Sequence, residues 1–323
     1  MTRHVLVTGA SGRIGSHVVR ELLARGCRVR ALTSKALDAG HEGPVDWRTH
    51  DWAQSIDFAP HVAGCDAVLH LGAEIWDIPR MQRINVEATR ALAQAAEEAG
   101  VRFFGYTSSI AAYGSAKTAV VTEASPVLTT GRDVRSEYRA NPSLRAYGRT
   151  KLLGEQAIRA IARDVDYAIF RPTVVIDLPE IAALSQLGGA HKFVVGNRLT
   201  QHVYVRDVAD AMIWFMERSL LRDGARAGVE VYNLSDDDPD LARFRDVFAF
   251  ALARTGDPGF RARANAPLFL YDLADMLKAR TLSLRRSLGR TFFSPAKLRA
   301  TGYRFPFGVR KAYELAFPAQ SRT

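Results

Sequence analysis

The chain has 323 residues, which is enough for one large domain or two joined domains with a sizeable core. Hydrophobic residues make up 47% and charged residues 24%, as in ordinary globular proteins, and no apolar run approaches the roughly 18 residues of a membrane span. Only Cys27 and Cys65 are present, so we expect no disulfide framework. A predicted strand begins almost at the first residue, so we expect no signal peptide and a cytoplasmic location.

The formal net charge of +10 is concentrated near the C-terminus. Residues 241–323 contain 16 Lys or Arg and 5 Asp or Glu, whereas the preceding residues are close to neutral. A solvated basic surface would explain the excess. An anionic or carrier-linked small-molecule substrate, or an acidic partner, would also be attracted to it. No nucleic-acid-binding module accompanies the charge, so nucleic acid is not a predicted partner.

The first predicted strand, Val5 to Thr8, is followed at once by glycines at positions 9, 12 and 15 and then by a segment of helical period. Gly9 would let the chain turn sharply, Gly12 would let the backbone approach a pyrophosphate, and Gly15 would let the helix pack closely. The helix N-terminus would offer N–H groups to the phosphates. An ordinary turn before a surface helix is the alternative. The cofactor-binding residues predicted in this turn are Gly9, Ser11, Gly12, Arg13, Ile14 and Gly15.

A second strand, Arg28 to Leu32, ends at Thr33, Ser34 and Lys35. NAD-binding members of such folds usually carry a carboxylate there for the ribose hydroxyls. A carboxylate would repel a 2′-phosphate, whereas hydroxyls and Lys35 would attract one, with Arg13 as a second cation. The sequence therefore predicts NADP(H) as the preferred cofactor and NAD(H) as the alternative.

A third strand, Val45–Thr49, leads to Asp51 and Trp52, which we assign to the adenine end of the cofactor. Asp51 would serve equally well as a helix cap. The next strand, Asp66–Ala73, ends in Leu71, Gly72 and Ala73, where small residues would let a cofactor lie against the backbone. Within this strand His70 is predicted to be a hydrogen-bonded core histidine rather than a catalyst.

Strands and helices continue to alternate beyond this point, which predicts a doubly wound parallel Rossmann sheet in an α/β fold. Helices are predicted from Asn85, from Tyr147 to about Arg163, and near 241–254, 268–290 and 295–316. Strands are predicted at 101–106, 166–171 and 229–234, and a short strand followed by a helix is predicted from residue 201. Residues 188–200 are predicted to form a loop. The long irregular segment before Tyr147 is typical of a lid or substrate loop.

Two interleaved domains follow from this order. Residues 1–177 with 201–235 are predicted to form the dinucleotide-binding Rossmann domain. Residues 178–200 with 236–323 are predicted to form a smaller C-terminal substrate-binding domain. No internal repeat and no metal-ligand cluster is predicted.

Tyr147 and Lys151 are four residues apart, so a helix places them on one face. Reduction of a carbonyl by hydride transfer leaves negative charge on oxygen, which a positioned proton donor neutralises. Tyrosine can serve if its pKa of about 10 is lowered, as a nearby cation such as Lys151 would do. Lys151 would also hydrogen-bond the nicotinamide ribose, so Tyr147 and Lys151 are predicted cofactor-binding residues too. Ser109, at a strand end, would orient the substrate oxygen. Tyr113 and Lys117 share the spacing but lead into a non-helical segment, so we assign the chemistry to Tyr147 and Lys151.

Several motifs occur in one order along about 235 residues. They are the glycine turn at 9–15, His70–Ala73, Asn85-Val86 with Thr89, Ser108–Gly114, Tyr147 with Lys151, Arg171-Pro172 and His202–Val208. This set resembles the extended short-chain dehydrogenase/reductase family. The resemblance implies a catalytic trio of Ser109, Tyr147 and Lys151, with Asn85 as a supporting polar residue. It also implies a homodimer through the helices starting near 83 and 147, and further cofactor contacts from Thr107, Pro172, Thr173 and Val174.

The resemblance also narrows the chemistry. Sugar-nucleotide dehydratases of this family carry an Asp-Glu pair where this chain has Ile110-Ala111, and the cysteine that some epimerases use there is absent too. The leading prediction is therefore an NADP-dependent ketone or aldehyde reductase, or the corresponding alcohol dehydrogenase. An NAD-dependent sugar-nucleotide epimerase and a non-catalytic dinucleotide-binding protein are the alternatives.

Overall fold

The structure is a computed structural model. It describes residues 2–37, 43–114, 116, 118–128, 142–222, 228–262, 264–279, 282 and 288–319. The strands are β1 (His4–Thr8), β2 (Arg28–Thr33), β3 (Val45–Thr49), β4 (Ala67–His70), β5 (Phe103–Thr107), β6 (Val120–Val121), β7 (Asp166–Pro172), β8 (Val174–Ile176), β9 (His202–Tyr204), β10 (Gly228–Leu234) and β11 (Phe292–Phe293).

The α-helices are α1 (Arg13–Ala24), α2 (Ala59–Val62), α3 (Ile78–Gln82), α4 (Thr89–Glu98), α5 (Pro142–Ile161), α6 (Leu178–Ala182), α7 (Gly189–Val195), α8 (Val205–Leu220), α9 (Phe244–Thr255), α10 (Leu268–Ala279), α11 (Ala296–Ala300) and α12 (Gly308–Ala316). A π-helical segment, Arg83–Ala88, joins α3 to α4. Within the described ranges, no helix has both the length and the apolar character that crossing a bilayer requires.

The central sheet confirms the predicted doubly wound topology. Its seven strands follow the order β10-β7-β5-β4-β1-β2-β3, and pairing is parallel from β7 through β5, β4, β1 and β2 to β3. The chain leaves β1 toward β2 and β3 and later returns to β4 on the other side. The carboxyl ends of β1 and β4 therefore flank a topological switch point, where such sheets bind ligands.

Apolar side chains on the sheet and its helices form the core that holds this edge in place. Leu6, Val68 and Phe104 come from neighbouring strands and pack with Leu92 of α4 and Ile158 of α5, all of them fully buried. Parallel strands covered by helices on their faces read as nearly continuous apolar runs, which is why these strands were visible in the sequence.

Contacts divide the chain into two compact units. The first comprises Met1–Ala112, Asn141–Arg171 and Val208–Tyr232, and the second comprises Tyr113–Ala140, Pro172–Asp207 and Asn233–Thr323. The first unit contains the glycine turn. The second contains the pairs β6 with β11 and β8 with β9, which are also parallel. The assignment of cofactor binding to one domain and substrate binding to the other stays a prediction.

Several helix predictions differ from the structure. The single helix predicted near 295–316 is two helices, α11 and α12, with non-helical residues between them. Residues 188–200, predicted to be a loop, contain α7, which is anchored because the buried Lys192 ammonium donates to the Ser185 and Gly259 carbonyls. Helix α5 begins at Pro142, five residues earlier than predicted, because proline is well tolerated in a first helical turn. The helix predicted to open at Asn85 is preceded by α3, which the Asp77 side chain caps.

The packing around Gly15 predicts a measurable cost of substitution. A Cβ at Gly15 would overlap the Gly9 carbonyl oxygen and the Ala10 backbone. Although alanine favours a helix over glycine by about 1 kcal/mol, we expect Gly15→Ala to lower the free energy of unfolding by about 1–3 kcal/mol, as overpacking does. Urea denaturation followed by circular dichroism would measure it.

Gly189→Ala is the matched control, because a Cβ at Gly189 in α7 meets nothing within 4 Å. The control is expected to be as stable as the wild type or slightly more stable. Equal stability of the two variants would contradict the packing account of Gly15.

Candidate active site

The turn between β1 and α1 has the geometry of an anion site. Gly9 adopts a φ of +64°, and a Cβ there would come within 2.7 Å of the Gly72 nitrogen. The Gly12 N–H donates to the Gly9 carbonyl at 2.9 Å, and no side chain caps α1. The first-turn N–H groups of α1 and the open approach at Gly12 therefore fit a pyrophosphate. Ile14, also assigned to this turn, is half-buried in the first turn of α1.

The tip of β2 is joined to this turn by side-chain hydroxyls. Ser11 Oγ lies 2.7 Å from Thr33 Oγ1, which also accepts the Lys35 N–H at 3.1 Å. The side chains of Ser34, Lys35 and Arg13 are exposed. The structure thus brings Ser11, Thr33 and Lys35 to one place at the carboxyl edge of the sheet, and their contact with a ribose phosphate stays a prediction.

Asp51 and Trp52 have structural roles of their own. Asp51 accepts hydrogen bonds from the Ala53 N–H at 2.9 Å and the Gln54 side chain at 3.0 Å, so it stabilises its own turn. Trp52 is buried, and a Cβ at Gly72 would overlap its ring. The absence of a side chain at Gly72 is therefore explained by Trp52. Leu71 and Gly72 are half-buried and Ala73 is exposed after β4; cofactor contacts by these residues stay predictions.

His70 is a core histidine, as predicted. Its Nδ1 pairs with Thr8 Oγ1 at 2.7 Å, its Nε2 pairs with Thr89 Oγ1 at 2.9 Å, and its ring stacks on Tyr106. Burial and the nearby Lys151 charge hold the pKa of His70 well below its usual value. His70 is therefore neutral and has both ring nitrogens occupied.

Ser109 and Tyr147 are brought together by β5 and α5. The Ser109 hydroxyl lies close enough to the Tyr147 hydroxyl to act on its pKa. The Ala111 N–H donates to Ser109 Oγ at 3.1 Å and so helps to fix the rotamer of the serine. In the next turn of α5, a Cβ at Gly148 would come within 2.5 Å of the Ala111 carbonyl oxygen, which shows how closely the helix approaches this loop. The predicted pair of hydroxyls therefore lies in one place within the first unit.

Lys151 is one turn further along α5 and is almost completely buried, with 1% of its surface exposed. Its Nζ lies 4.2 Å from the centroid of the Tyr106 ring. Burial lowers the pKa of Lys151 to about 7, although the charge of Glu155 opposes this shift.

The expectation that Lys151 lowers the pKa of Tyr147 is wrong for this structure. Part of the Tyr147 side chain reaches the surface, but dense protein around its hydroxyl raises the pKa of Tyr147 to about 12, and the nearby Ser109 hydroxyl only partly offsets this effect. Desolvation of the phenolate is therefore the larger effect.

Asn85 supports this arrangement from the π-helical segment. Its side-chain amide accepts from the Glu74 N–H and donates to the Glu74 carbonyl, both at 2.8 Å, and it donates to Thr150 Oγ1 at 3.0 Å. Asn85 is 1% exposed. It therefore links the segment after β4 to α5, next to Lys151. The sequence did not reveal the π-helical turn, a feature that is frequent near functional sites.

Three buried residues next to the trio were not assigned a role from the sequence. Ser108 Oγ donates to Glu155 Oε1 at 2.6 Å, and Arg171 donates to both carboxylate oxygens of Glu155, at 2.8 and 2.6 Å. Burial alone would raise the pKa of Glu155, but Arg171 and Ser108 outweigh it and hold the pKa below its usual value. The sequence feature that could have identified Glu155 is its spacing, since it lies one turn beyond Lys151 on the same helical face.

The remaining predicted cofactor residues are placed as follows. The Thr107 hydroxyl lies 3.3 Å from the Met212 sulfur, inside the first unit. In the second unit, Pro172 precedes Thr173, whose N–H donates to the Leu234 carbonyl at 2.9 Å, and the Val174 side chain is 52% exposed. Cofactor contacts by Thr107, Pro172, Thr173 and Val174 stay predictions.

Tyr113, to which no chemistry is assigned from the sequence, has a structural partner. Its hydroxyl donates to Asn233 Oδ1 at 2.8 Å within the second unit, and its side chain is buried. Lys117 lies outside the described residues, as do residues 129–141 of the predicted substrate loop.

Part of the C-terminal positive charge is used in ion pairs. Arg310 contacts the carboxylates of Asp238 and Asp240 at 2.6 and 2.7 Å, and Arg299 contacts Asp237. These aspartates immediately precede residue 241. A charge count that starts at residue 241 therefore includes Arg299 and Arg310 but leaves out the carboxylates with which they pair. The basic excess is therefore partly structural.

Comparison with known proteins agrees with this fold. Residues 5–234 match the model of the NAD dependent epimerase/dehydratase family. A Synechocystis protein described only provisionally as a dihydroflavonol 4-reductase is 31% identical over 179 residues, which span 53% of this chain and about half (48%) of that protein. Cinnamoyl-CoA reductase 1 of Oryza sativa subsp. japonica is 29% identical over 234 residues, which span 66% of this chain and 68% of the rice protein.

Solved structures share the fold over nearly the whole chain. MoeE5 in complex with UDP-glucose and NAD has a TM-score of 0.69 and 24% identity, with 97% of each chain covered. The human epimerase family protein SDR39U1 with NADPH has a TM-score of 0.65 and 20% identity, with 97% of this chain and 98% of that chain covered. The family match over residues 5–234 shows that the chain belongs to the NAD dependent epimerase/dehydratase family, within the extended short-chain dehydrogenase/reductases.

Proposed function

We propose that the chain is an NADP-dependent oxidoreductase that reduces a ketone or aldehyde group of a small organic substrate, or oxidises the corresponding alcohol. The observation that carries the proposal is the proximity of the Ser109 and Tyr147 side chains, with Lys151 one turn along α5, in the unit that also contains the glycine turn. The similarity to cinnamoyl-CoA reductase supports a reductase.

Each member of the trio has a distinct task. A bound nicotinamide cofactor supplies or accepts the hydride. Because the pKa of Tyr147 is about 12, its hydroxyl is protonated at neutral pH and is available to donate to the substrate oxygen. Ser109 orients that oxygen by hydrogen bonding, and the Lys151 ammonium stabilises the tyrosinate formed by proton transfer. Lys151, with a pKa of about 7, is also suited to return a proton to Tyr147 near neutral pH.

Tyr147→Phe tests the proposed proton donor. We expect kcat for carbonyl-dependent NADPH consumption to fall by about 10²–10⁴-fold, the usual contribution of a positioned acid. The dissociation constant for NADPH is expected to stay within about threefold, since the glycine turn is intact. Absorbance assays over a panel of aldehydes and ketones, with and without an anionic tail, would measure kcat, and calorimetry would measure binding.

Tyr113→Phe is the control for this experiment, because it also removes a buried phenolic hydroxyl but in the second unit. It is expected to retain activity within about threefold of the wild type, as for a substitution outside a catalytic site. Unchanged activity of Tyr147→Phe would contradict the mechanism. Purification of the wild type with tightly bound NAD and no net turnover of added NADPH would favour a sugar-nucleotide epimerase.

The preference for NADP(H) over NAD(H) is proposed from the charges at the β2 tip. In residues 9–15 and 33–35 the sequence has Arg13 and Lys35 and no carboxylate. Lys35 is exposed beside the hydrogen-bonded hydroxyls of Ser11 and Thr33. Hydroxyls and cations are suited to bind a 2′-phosphate. The NADPH bound by SDR39U1 shows that the shared fold accommodates this cofactor in another protein.

The double variant Arg13→Ala/Lys35→Ala tests this preference. Loss of charged hydrogen bonds is expected to weaken NADPH binding by about tenfold or more and to change NADH binding by less than about threefold. Arg20→Ala, which removes an exposed cation from the same helix, is the control and should leave both constants unchanged. Equal weakening for NADPH and NADH in the double variant would contradict the assignment.

We also propose a homodimer that packs through the π-helical segment, α4 and α5. A groove at these helices is lined by alanine, polar and larger aliphatic side chains, among them Ala91, Ala157, Ala160, Gln94 and Ile161. Small residues let two helices approach closely, so a second copy of the chain can pack its equivalent helices here.

Ala160→Glu is expected to shift the protein from dimer to monomer, because two copies of the carboxylate would face each other across the twofold axis. Sedimentation velocity would measure the change. Ala300→Glu, at an exposed site on α11, is the control and should remain dimeric. A wild-type protein that sediments as a monomer would contradict the proposal.

A further inference from the structure

One buried ion pair links the three elements that surround the trio. Glu155 is on α5, the helix that carries Tyr147 and Lys151, and none of its surface is exposed. Arg171, on β7, binds the Glu155 carboxylate through two hydrogen bonds. Ser108, the residue before Ser109 at the end of β5, donates to the same carboxylate at 2.6 Å.

The backbone strengthens this link. The Ser108 N–H donates to the Phe170 carbonyl on β7 at 2.7 Å, so both the main chain and the side chain of Ser108 are held. Ser109 follows immediately, and its hydroxyl lies near that of Tyr147. A substitution of Glu155 is therefore expected to shift Ser109, because Ser108 is the residue between them in this chain of contacts. It is also expected to affect Lys151, which lies one helical turn away from Glu155.

We propose that Glu155, held by Arg171, is a positioning residue for the reaction: it fixes the end of β5 against α5 through Ser108 and places a carboxylate one turn from Lys151. This inference rests on the proposed function, since it assigns Glu155 a task in proton transfer. Glu155 touches neither cofactor nor substrate in this role.

The charge of Glu155 matters because, in the described part of the chain, it is the acidic group whose charge acts on Lys151. Tyr106 on β5 presents its ring, His70 on β4 is neutral, and Tyr147 on α5 is a neutral phenol. The Glu155 carboxylate is the anion that raises the pKa of Lys151 against the effect of burial. Removal of that negative charge while Arg171 stays would make proton loss easier for both Lys151 and Tyr147.

Glu155→Gln tests the inference by its pH profile. We expect kcat to fall at least tenfold, the NADPH dissociation constant to stay within about threefold, and the alkaline limb of the profile to move to lower pH by about one unit. In Glu155→Gln/Arg171→Met the unpaired cation is also removed, so the limb should return toward its wild-type position although kcat stays low. Ser108→Ala, which keeps the ion pair, should lower kcat several-fold without moving the limb.

Glu97→Gln is the matched control. Glu97 is another buried carboxylate of the first unit, and it accepts hydrogen bonds from the Tyr167 hydroxyl and the N–H groups of Arg163 and Asp164. Its loss should lower the melting temperature but leave the pH profile and kcat close to wild type. This control separates a loss of stability from a loss of positioning.

The outcomes distinguish the inference from the function on which it rests. If the wild type turns over no carbonyl substrate and does not bind a dinucleotide, the proposed function fails. If the wild type is active and Glu155→Gln behaves like Glu97→Gln, the inference is overturned. If Glu155→Gln does not fold, the double variant and Ser108→Ala decide the question: full kcat in both would overturn it, and reduced kcat with normal NADPH binding would support it.

Discussion

Burial of the Lys151 ammonium is the constraint on which the rest of the candidate site depends. Removing an ammonium from water costs several kcal/mol in a real protein, so its surroundings must compensate. The face of the Tyr106 ring and the carboxylate of Glu155 supply part of that compensation, and the pKa of Lys151 is still lowered to about 7. Glu155 is itself buried and needs Arg171. These requirements link α5 to β5 and β7, the elements that position Ser109 and Tyr147.

A second set of contacts holds the opposite side of α5. Asn85 contacts both backbone groups of Glu74 and the Thr150 hydroxyl, so the segment after β4 is tied to the turn of α5 that carries Lys151. On that same edge of the sheet, the segment after β4 also approaches Gly9 closely. The pyrophosphate site predicted at the glycine turn and the trio are thus parts of one unit whose elements are connected by buried polar contacts.

The sequence was sufficient for features that depend on local patterns. Glycine spacing, apolar strands and the four-residue interval between Tyr147 and Lys151 are local, and the parallel sheet and helix α5 agree with them. The grouping of Ser109 with Tyr147 joins distant parts of the chain, and the family resemblance implied it rather than any local pattern. The π-helical turn at Asn85 and helix α7 were missed, since partners distant in the chain stabilise them.

Electrostatic properties were the least predictable from the sequence. A cation one turn away suggested a lowered pKa for Tyr147, but the degree of burial decides the sign of that shift, and burial depends on the whole fold. In the same way, apart from its spacing nothing in the sequence distinguished Glu155 from other charged residues. The structure shows that Ser108 and Arg171 donate hydrogen bonds to its carboxylate. Similarly, some basic residues near the C-terminus pair with the aspartates that precede them.

The most direct test of the central claim is a crystal structure of the protein with NADP(H) bound. The account predicts the pyrophosphate at the N-terminus of α1, with the nicotinamide ring beside the Tyr147 hydroxyl and its ribose within hydrogen-bonding distance of the Lys151 ammonium. A dinucleotide bound away from the glycine turn, or a nicotinamide ring remote from Tyr147, would contradict it.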